Sequence, residues 1–158
     1  MAYLRVYNLN GNIEQCGGSF IAENWVVTAH HCIIDAFYIE LFAGKTFLDG
    51  KNAIEPSEFE IIDIVTHPDA INHPRFVHLN DIVLLKVEHV AGSFMPRPIC
   101  MPEDGEIPQE GDKCYVAGWG LKSSIREGAE IAVQLQIAEI PISNIYSCAA
   151  VYMAYSRR

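Results

Sequence analysis

The sequence predicts an all-β fold, and two features of its pattern carry this prediction. Short segments rich in β-branched and aromatic residues follow one another closely, and Gly, Pro, Asn or Asp separates most of them. Several of these segments also alternate apolar with polar residues, as a strand with one buried face does. Closely spaced strands of this kind are typical of a β-barrel or a β-sandwich.

The predicted elements follow in chain order. Residues 2–9 form the first strand, Asn10-Gly11 is a hairpin turn, and pairing resumes near Gln15. Further strands are predicted at residues 25–29, 37–43, 59–66, 81–87, 114–119 and 131–140. Ser143 is predicted to cap a short amphipathic helix over residues 143–154, because apolar residues recur at helical spacing after it: Ile145, Cys148, Ala149 and Tyr152.

A change of composition divides the chain. Residues 91–112 contain four prolines and three glycines with little periodicity, which is typical of a linker. We therefore expect a nearly complete barrel over residues 1–90, a linker over 91–112 and a second packing unit over 113–158. Two strands and a helix leave unpaired strand edges and an uncovered apolar face, so the second unit is expected to be incomplete.

Composition and cysteine usage exclude several classes of protein. A chain of 158 residues that is 50% hydrophobic and 20% charged is expected to fold as a globular protein. Its net charge of −9 argues against nucleic acid as a partner, and its apolar runs are too short to span a membrane. Five cysteines without a CxxC pair weaken zinc and redox interpretations. Their odd number indicates a free thiol, an intermolecular bridge or missing sequence.

Five sequence blocks occur in the order found in the chymotrypsin/trypsin family of serine proteases (peptidase S1). They cover essentially the whole chain, at residues 16–21, 25–32, 81–86, 98–102 and 116–120. The chain therefore resembles a trypsin-like serine protease, and Met1-Ala2-Tyr3-Leu4 is similar to the first strand of granzyme- and chymase-like members. The resemblance implies an antiparallel double β-barrel, with the first barrel nearly complete and the second truncated.

The resemblance also assigns roles to individual residues. His31 is expected to be the general base and acid, because the family histidine directly precedes a cysteine, and Asp81 is expected to orient it. A Cys16–Cys32 disulfide is expected to clamp the histidine turn to the neighbouring strand. His30 stands where the family usually has alanine, and adjacent strand residues face opposite sides, so the two histidines are not expected to share a metal ion.

Two family features do not occur in this sequence. Neither an initial Ile-Val-Gly-Gly nor the Gly-Asp-Ser-Gly-Gly motif of the nucleophile is found. In the family, the cysteines that match Cys100, Cys114 and Cys148 pair with partners outside this span. We therefore expect a fragment of a trypsin-like endopeptidase whose 158 residues alone are inactive. The alternative is a truncated isoform or pseudoprotease that acts as a non-catalytic binding module.

The expected partners follow from the same resemblance. They are protein or peptide substrates and, as further candidates, protein protease inhibitors, whereas no nucleic acid, membrane, cofactor or metal is expected. The protein is expected to be secreted. A metal-binding β-protein that uses the six histidines is a third, disfavoured interpretation. Loop histidines and an acidic surface that could suggest zinc or calcium are interpreted as solvated: His67, His73 and His78, and Asp49, Glu55, Glu58 and Glu60.

Overall fold

A computed structural model describes residues 1–72, 78–123, 130–144 and 146–150. The described chain is mainly β-strand, which confirms the predicted all-β class. Its strands are β1 (Ala2–Asn8), β2 (Ile13–Ala22), β3 (Trp25–Thr28), β4 (Ala36–Ala43), β5 (Ser57–Thr66), β6 (Ile71–Asn72), β7 (His78–Leu79), β8 (Val83–Ala91), β9 (Lys113–Gly118) and β10 (Gln136–Pro141), with a 3-10 turn at His30–Cys32.

The first compact unit, residues 1–72 and 78–101, contains a closed barrel. Its strands pair in the order β1-β2-β3-β8-β5-β4, and β4 returns to β1, so the hydrogen-bonded ring closes. All six pairings are antiparallel. The β3–β8 register pairs Thr28 with Val83, which brings the segment after β3 beside the segment before β8.

The hairpin between β1 and β2 forms at the predicted turn. Gly11 has φ of 83°, a left-handed conformation that glycine adopts without steric cost. The Asn8 amide donates to the Asn12 carbonyl at 2.9 Å, and pairing resumes at Tyr7 with Ile13. Pairing therefore begins two residues earlier than the predicted Gln15.

The barrel interior is filled by the alternating apolar residues of its strands. On β8, for example, Val83, Leu85 and Val87 are at most 1% exposed, and they form one cluster with residues of the other five strands. Burying a side chain of this size stabilises the fold by roughly 1.5–3 kcal/mol. The residues that alternate with period two in the sequence thus pack inside the barrel, and this packing fixes the register of each strand.

The second compact unit contains the described residues from Pro102 onwards. In it β9 pairs with β10 in antiparallel register, and Leu121 bridges to Ile131. Residues 146–150 are helical. No helix in the described part of the chain has the length and apolar content needed to cross a bilayer.

Three predicted boundaries are wrong. Asn144, not Ser143, caps the helix, because its side-chain oxygen accepts the amides of Tyr146 (2.9 Å) and Ser147 (3.4 Å). The strand predicted at residues 131–140 begins only at Gln136. Alternation of apolar residues shows which side chains share a face, but it does not show where backbone pairing with another strand starts. The strand predicted at 81–87 runs from Val83 to Ala91. Residues 151–154 of the predicted helix lie outside the described residues.

Gly92 provides a test of the barrel's close packing. It has φ of 93°, and a Cβ there would lie 2.6 Å from both Ser57 Cα and Pro56 O. We expect Gly92→Ala to lower the free energy of unfolding by about 2 kcal/mol or more, since it combines backbone strain with a collision against backbone. Gly50 has φ of 86° with no atom within 4 Å, so Gly50→Ala should cost only about 1 kcal/mol. Urea unfolding measures both, and equal losses would contradict the packing argument.

Candidate active site

The 3-10 turn that carries both histidines forms where β3 is tied to β2. The Thr28 hydroxyl, at the end of β3, donates to the Gly17 carbonyl of β2 at 2.8 Å. Four residues later, Cys32 forms a disulfide with Cys16 of β2, with a Cα–Cα distance of 6.3 Å. The chain must therefore turn at once after β3, and the Cys32 amide bonds the Ala29 carbonyl at 3.2 Å. The predicted disulfide is confirmed, whereas the predicted strand-end position of the histidines is replaced by this turn.

Asp81 holds His31 at two points. The Asp81 carboxylate accepts the His31 backbone amide at 2.8 Å through Oδ1 and meets the ring nitrogen Nδ1 at 2.7 Å through Oδ2. One carboxylate therefore fixes both the backbone and the ring of the same residue. The two side chains are 48% and 26% exposed, so the pair stays open to solvent on one side.

The local backbone explains how Asp81 reaches this position. Asn80 has φ of 51°, a left-handed conformation that asparagine tolerates better than most residues. Its side-chain amide donates to the Asp69 carbonyl at 2.8 Å, and its own carbonyl accepts the Ile82 amide at 2.8 Å. This turn precedes β8 and explains why the strand begins at Val83 instead of at Asp81.

The charge state of Asp81 determines which ring nitrogen of His31 carries the proton. Partial burial acts to raise the pKa of Asp81, but the hydrogen bonds from the His31 ring and amide, with the charges of His31 and His78, bring that pKa below its ordinary value. Asp81 is therefore ionised at neutral pH and can only accept. His31 Nδ1 must carry the proton, so the neutral ring has its basic lone pair on Nε2.

The Nε2 atom of His31 is available for proton transfer. Its contact in the described part of the chain is Cys32 Sγ at 3.6 Å, and a disulfide sulfur has no proton to donate to it. No serine or threonine hydroxyl of the described residues bonds to it. The arrangement can accept a proton at Nε2 and release it again, which is the task of a general base and acid.

Two other histidines lie close to His31, one in sequence and one in space. His30 makes no side-chain hydrogen bond or ion pair within the described residues, although it precedes His31 directly. His78 was interpreted as a solvated loop residue, but its ring lies 5.3 Å from the His31 ring, centroid to centroid. His78 lies on β7, three residues before Asp81, and its approach to His31 was not predicted from the sequence. His73 lies outside the described residues.

The same region contains a potential set of metal ligands. Donor atoms of Cys16, His31 and Cys32 lie within 4.8 Å of one another. The two sulfurs are joined in the Cys16–Cys32 disulfide, so neither is a thiolate, the form in which cysteine binds zinc. The disulfide accounts for the proximity of these atoms.

Removing the disulfide tests its clamping role. The bridge joins residues 16 positions apart, and a loop of this length stabilises a fold by about 3 kcal/mol through the unfolded chain. We expect Cys16→Ala/Cys32→Ala to lose about that much in urea unfolding. The control is Cys100→Ala, at an exposed free cysteine, which should change little. A double variant as stable as the parent would contradict the clamp.

Acid titration tests the His31–Asp81 contact. The folded pKa of Asp81 lies below its unfolded value of about 3.9. Its carboxylate therefore stabilises the fold above that value, and this contribution is lost as the pH falls through the folded pKa. We expect Asp81→Asn to be less stable than the parent at pH about 7, with the difference shrinking below pH about 4. Asp104→Asn is the control for charge, and a difference independent of pH would contradict the contact.

Known proteins of one family resemble this chain. The Trypsin family model matches residues 3–157. Ovochymase of Halocynthia roretzi is 36% identical over 145 residues, which cover 89% of this chain and 9% of that protein. Serine protease 56 of Homo sapiens is 32% identical over 139 residues, covering 87% of this chain and 22% of that protein. The chain thus spans less than a quarter of the length of these curated relatives.

Solved structures agree with the sequence matches. The structure of GrC superposes with a TM-score of 0.80 at 25% identity, covering 98% of this chain and 64% of GrC. Neuropsin, a serine protease of mouse brain, shares the fold with a TM-score of 0.76 at 23% identity and the same coverage. The family match over nearly the whole sequence and the shared fold lead to one conclusion: this chain belongs to the trypsin family of serine proteases.

Proposed function

We propose that this protein is the base-bearing part of a trypsin-like serine endopeptidase, in which His31 is the general base and acid and Asp81 orients it. The observation that supports the proposal is the two-point contact of Asp81 with His31, at 2.8 Å and 2.7 Å, which leaves Nε2 as the basic nitrogen. The nucleophilic serine is proposed to come from sequence beyond these 158 residues, because no Gly-Asp-Ser-Gly-Gly occurs among them.

The proposed reaction passes through an acyl-enzyme. Nε2 of His31 takes the serine proton as the serine oxygen attacks the peptide carbonyl carbon. It then gives that proton to the leaving amine, and the C–N bond breaks. In the second half, Nε2 takes a proton from water, whose oxygen attacks the acyl carbon, and returns it to the serine. Asp81 remains ionised throughout and stabilises the charged ring.

Several further expectations belong to this proposal. Substrates are proteins or peptides, with protein protease inhibitors as candidate partners, and the chemistry requires no metal or organic cofactor. Secretion is proposed because the family works largely outside cells and the confirmed disulfide suits an oxidising compartment. The division into residues 1–90, 91–112 and 113–158 stays a prediction, and so does the fragment interpretation.

A chimera tests the assignment of His31. The 158 residues are joined to the part of GrC that this chain does not cover, and labelling by a fluorophosphonate is measured together with peptide hydrolysis. We expect the 158-residue chain to be unlabelled and the chimera to be labelled. In the chimera, His31→Ala should lower the hydrolysis rate by about 10⁴-fold or more, since it removes the base.

His30→Ala is the matched control, because it removes an imidazole from the adjacent position, which makes no contact with Asp81 in the described structure. It should retain most of the chimera's activity. Equal losses in the two variants would contradict the role of His31. Stoichiometric labelling of the 158-residue chain would reveal a nucleophile within it, and a folded but inactive chimera would favour the alternative of a non-catalytic binding module.

A further inference from the structure

One side of the first barrel contains an open groove between β4 and β5. These strands pair only from Leu41 to Ala43 on β4 and from Ser57 to Phe59 on β5. On its other edge β4 is paired with β1 from Ala36 to Ala43, with a register shift at Phe37. Within the described residues, the β5-facing edge of residues 36–40 therefore has no strand partner. The two strands diverge around a groove of about 450 Å³.

The groove presents apolar side chains to water. Phe37 is 63% exposed, Tyr38 52%, Ile64 45% and Val90 58%. These four residues line one groove, unlike the scattered apolar residues that any protein surface has. A contiguous apolar lining beside an unpaired strand edge is the arrangement that accepts an added peptide strand, whose backbone bonds to the edge while alternate side chains fill the groove.

The charged residues that line the groove determine whether a basic or an acidic partner can bind there. Three of its lining residues are glutamates, and none is Lys, Arg or His. Glu40 already bonds Arg5 and the Tyr7 hydroxyl, each at 3.0 Å. Glu58 and Glu60 form no ion pair with the described residues. Two uncompensated carboxylates in a chain of net charge −9 attract a basic partner and repel acidic peptides and phosphates.

We propose that this groove binds an extended basic peptide segment as an added strand beside β4. Alternate apolar residues of the segment enter the lining around Phe37 and Ile64, and the basic residues between them meet Glu58 and Glu60. None of the groove residues is His31, Asp81 or a disulfide cysteine. The binding is independent of the proposed peptidase reaction and of any nucleophile.

Fluorescence anisotropy of a labelled peptide tests the proposal with the full 158-residue chain. The probe is Lys-Val-Arg-Leu-Lys-Val-Arg-Leu, an extended segment of alternating charge and apolar character. We expect saturable binding that Glu58→Gln/Glu60→Gln weakens by about 10-fold, since the variant removes both carboxylates that meet the basic residues of the peptide. Glu14→Gln/Glu23→Gln changes the net charge equally at residues outside the groove, and should change binding by less than about 2-fold.

Three altered peptides distinguish strand addition beside β4 from binding by charge attraction alone. Replacing Val and Leu by Ser should weaken binding at least as much as the groove variant does. Replacing Lys and Arg by Glu should abolish it. Methylation of alternate backbone nitrogens should weaken it, because the peptide then loses the N–H donors that bond the carbonyls of the β4 edge. Equal binding of the serine peptide or of the methylated peptide, or equal effects of the two glutamate pairs, would overturn the proposal.

Discussion

The geometry of the candidate site depends on the single carboxylate of Asp81, which bonds both the backbone amide and the ring of His31. Neither residue lies on a strand, and neither is held by the hydrophobic core. Each lies a few residues beyond one end of the Thr28–Val83 register pair, so the β3–β8 pairing sets how closely they approach. The barrel brings His31 and Asp81 close together, and the hydrogen bonds to the carboxylate then orient the His31 ring.

The disulfide acts on the same turn from the opposite side. Cys32 follows His31 directly and is 5% exposed, so the turn is anchored in the barrel wall while the histidine ring remains accessible. The proposed role of His31 as a base requires this combination, because a base must keep its position and still meet a substrate. His31, Asp81 and the Cys16–Cys32 bridge all belong to the first compact unit.

The sequence was sufficient for those features that depend on local chemistry. Alternation predicted the barrel strands, and the resemblance to the trypsin family, whose histidine directly precedes a cysteine, indicated which of two adjacent histidines bonds Asp81. The sequence did not predict the features that depend on pairing between distant segments. The strands β6 and β7 have two residues each and leave no period to detect, and the 5.3 Å approach of the His78 ring to the His31 ring was not predicted.

The same limit explains the groove and the helix cap. The residues of β4 carry a strand pattern throughout, but nothing in that pattern shows where β5 leaves its edge. Ser143 and Asn144 are both suitable cap residues, and only the backbone geometry selected the second. Propensity identifies the kind of residue that a cap needs, and tertiary structure chooses between neighbours.

The sequence distances within the site have a kinetic consequence. The disulfide joins residues 16 positions apart, whereas His31 and Asp81 are 50 apart. Closing the longer loop loses more chain entropy before any contact compensates for it. The covalent link can thus form within a local hairpin, while the imidazole–carboxylate contact must await the arrival of β8. The pair that carries the proposed chemistry is therefore expected to form only when β8 has paired with β3.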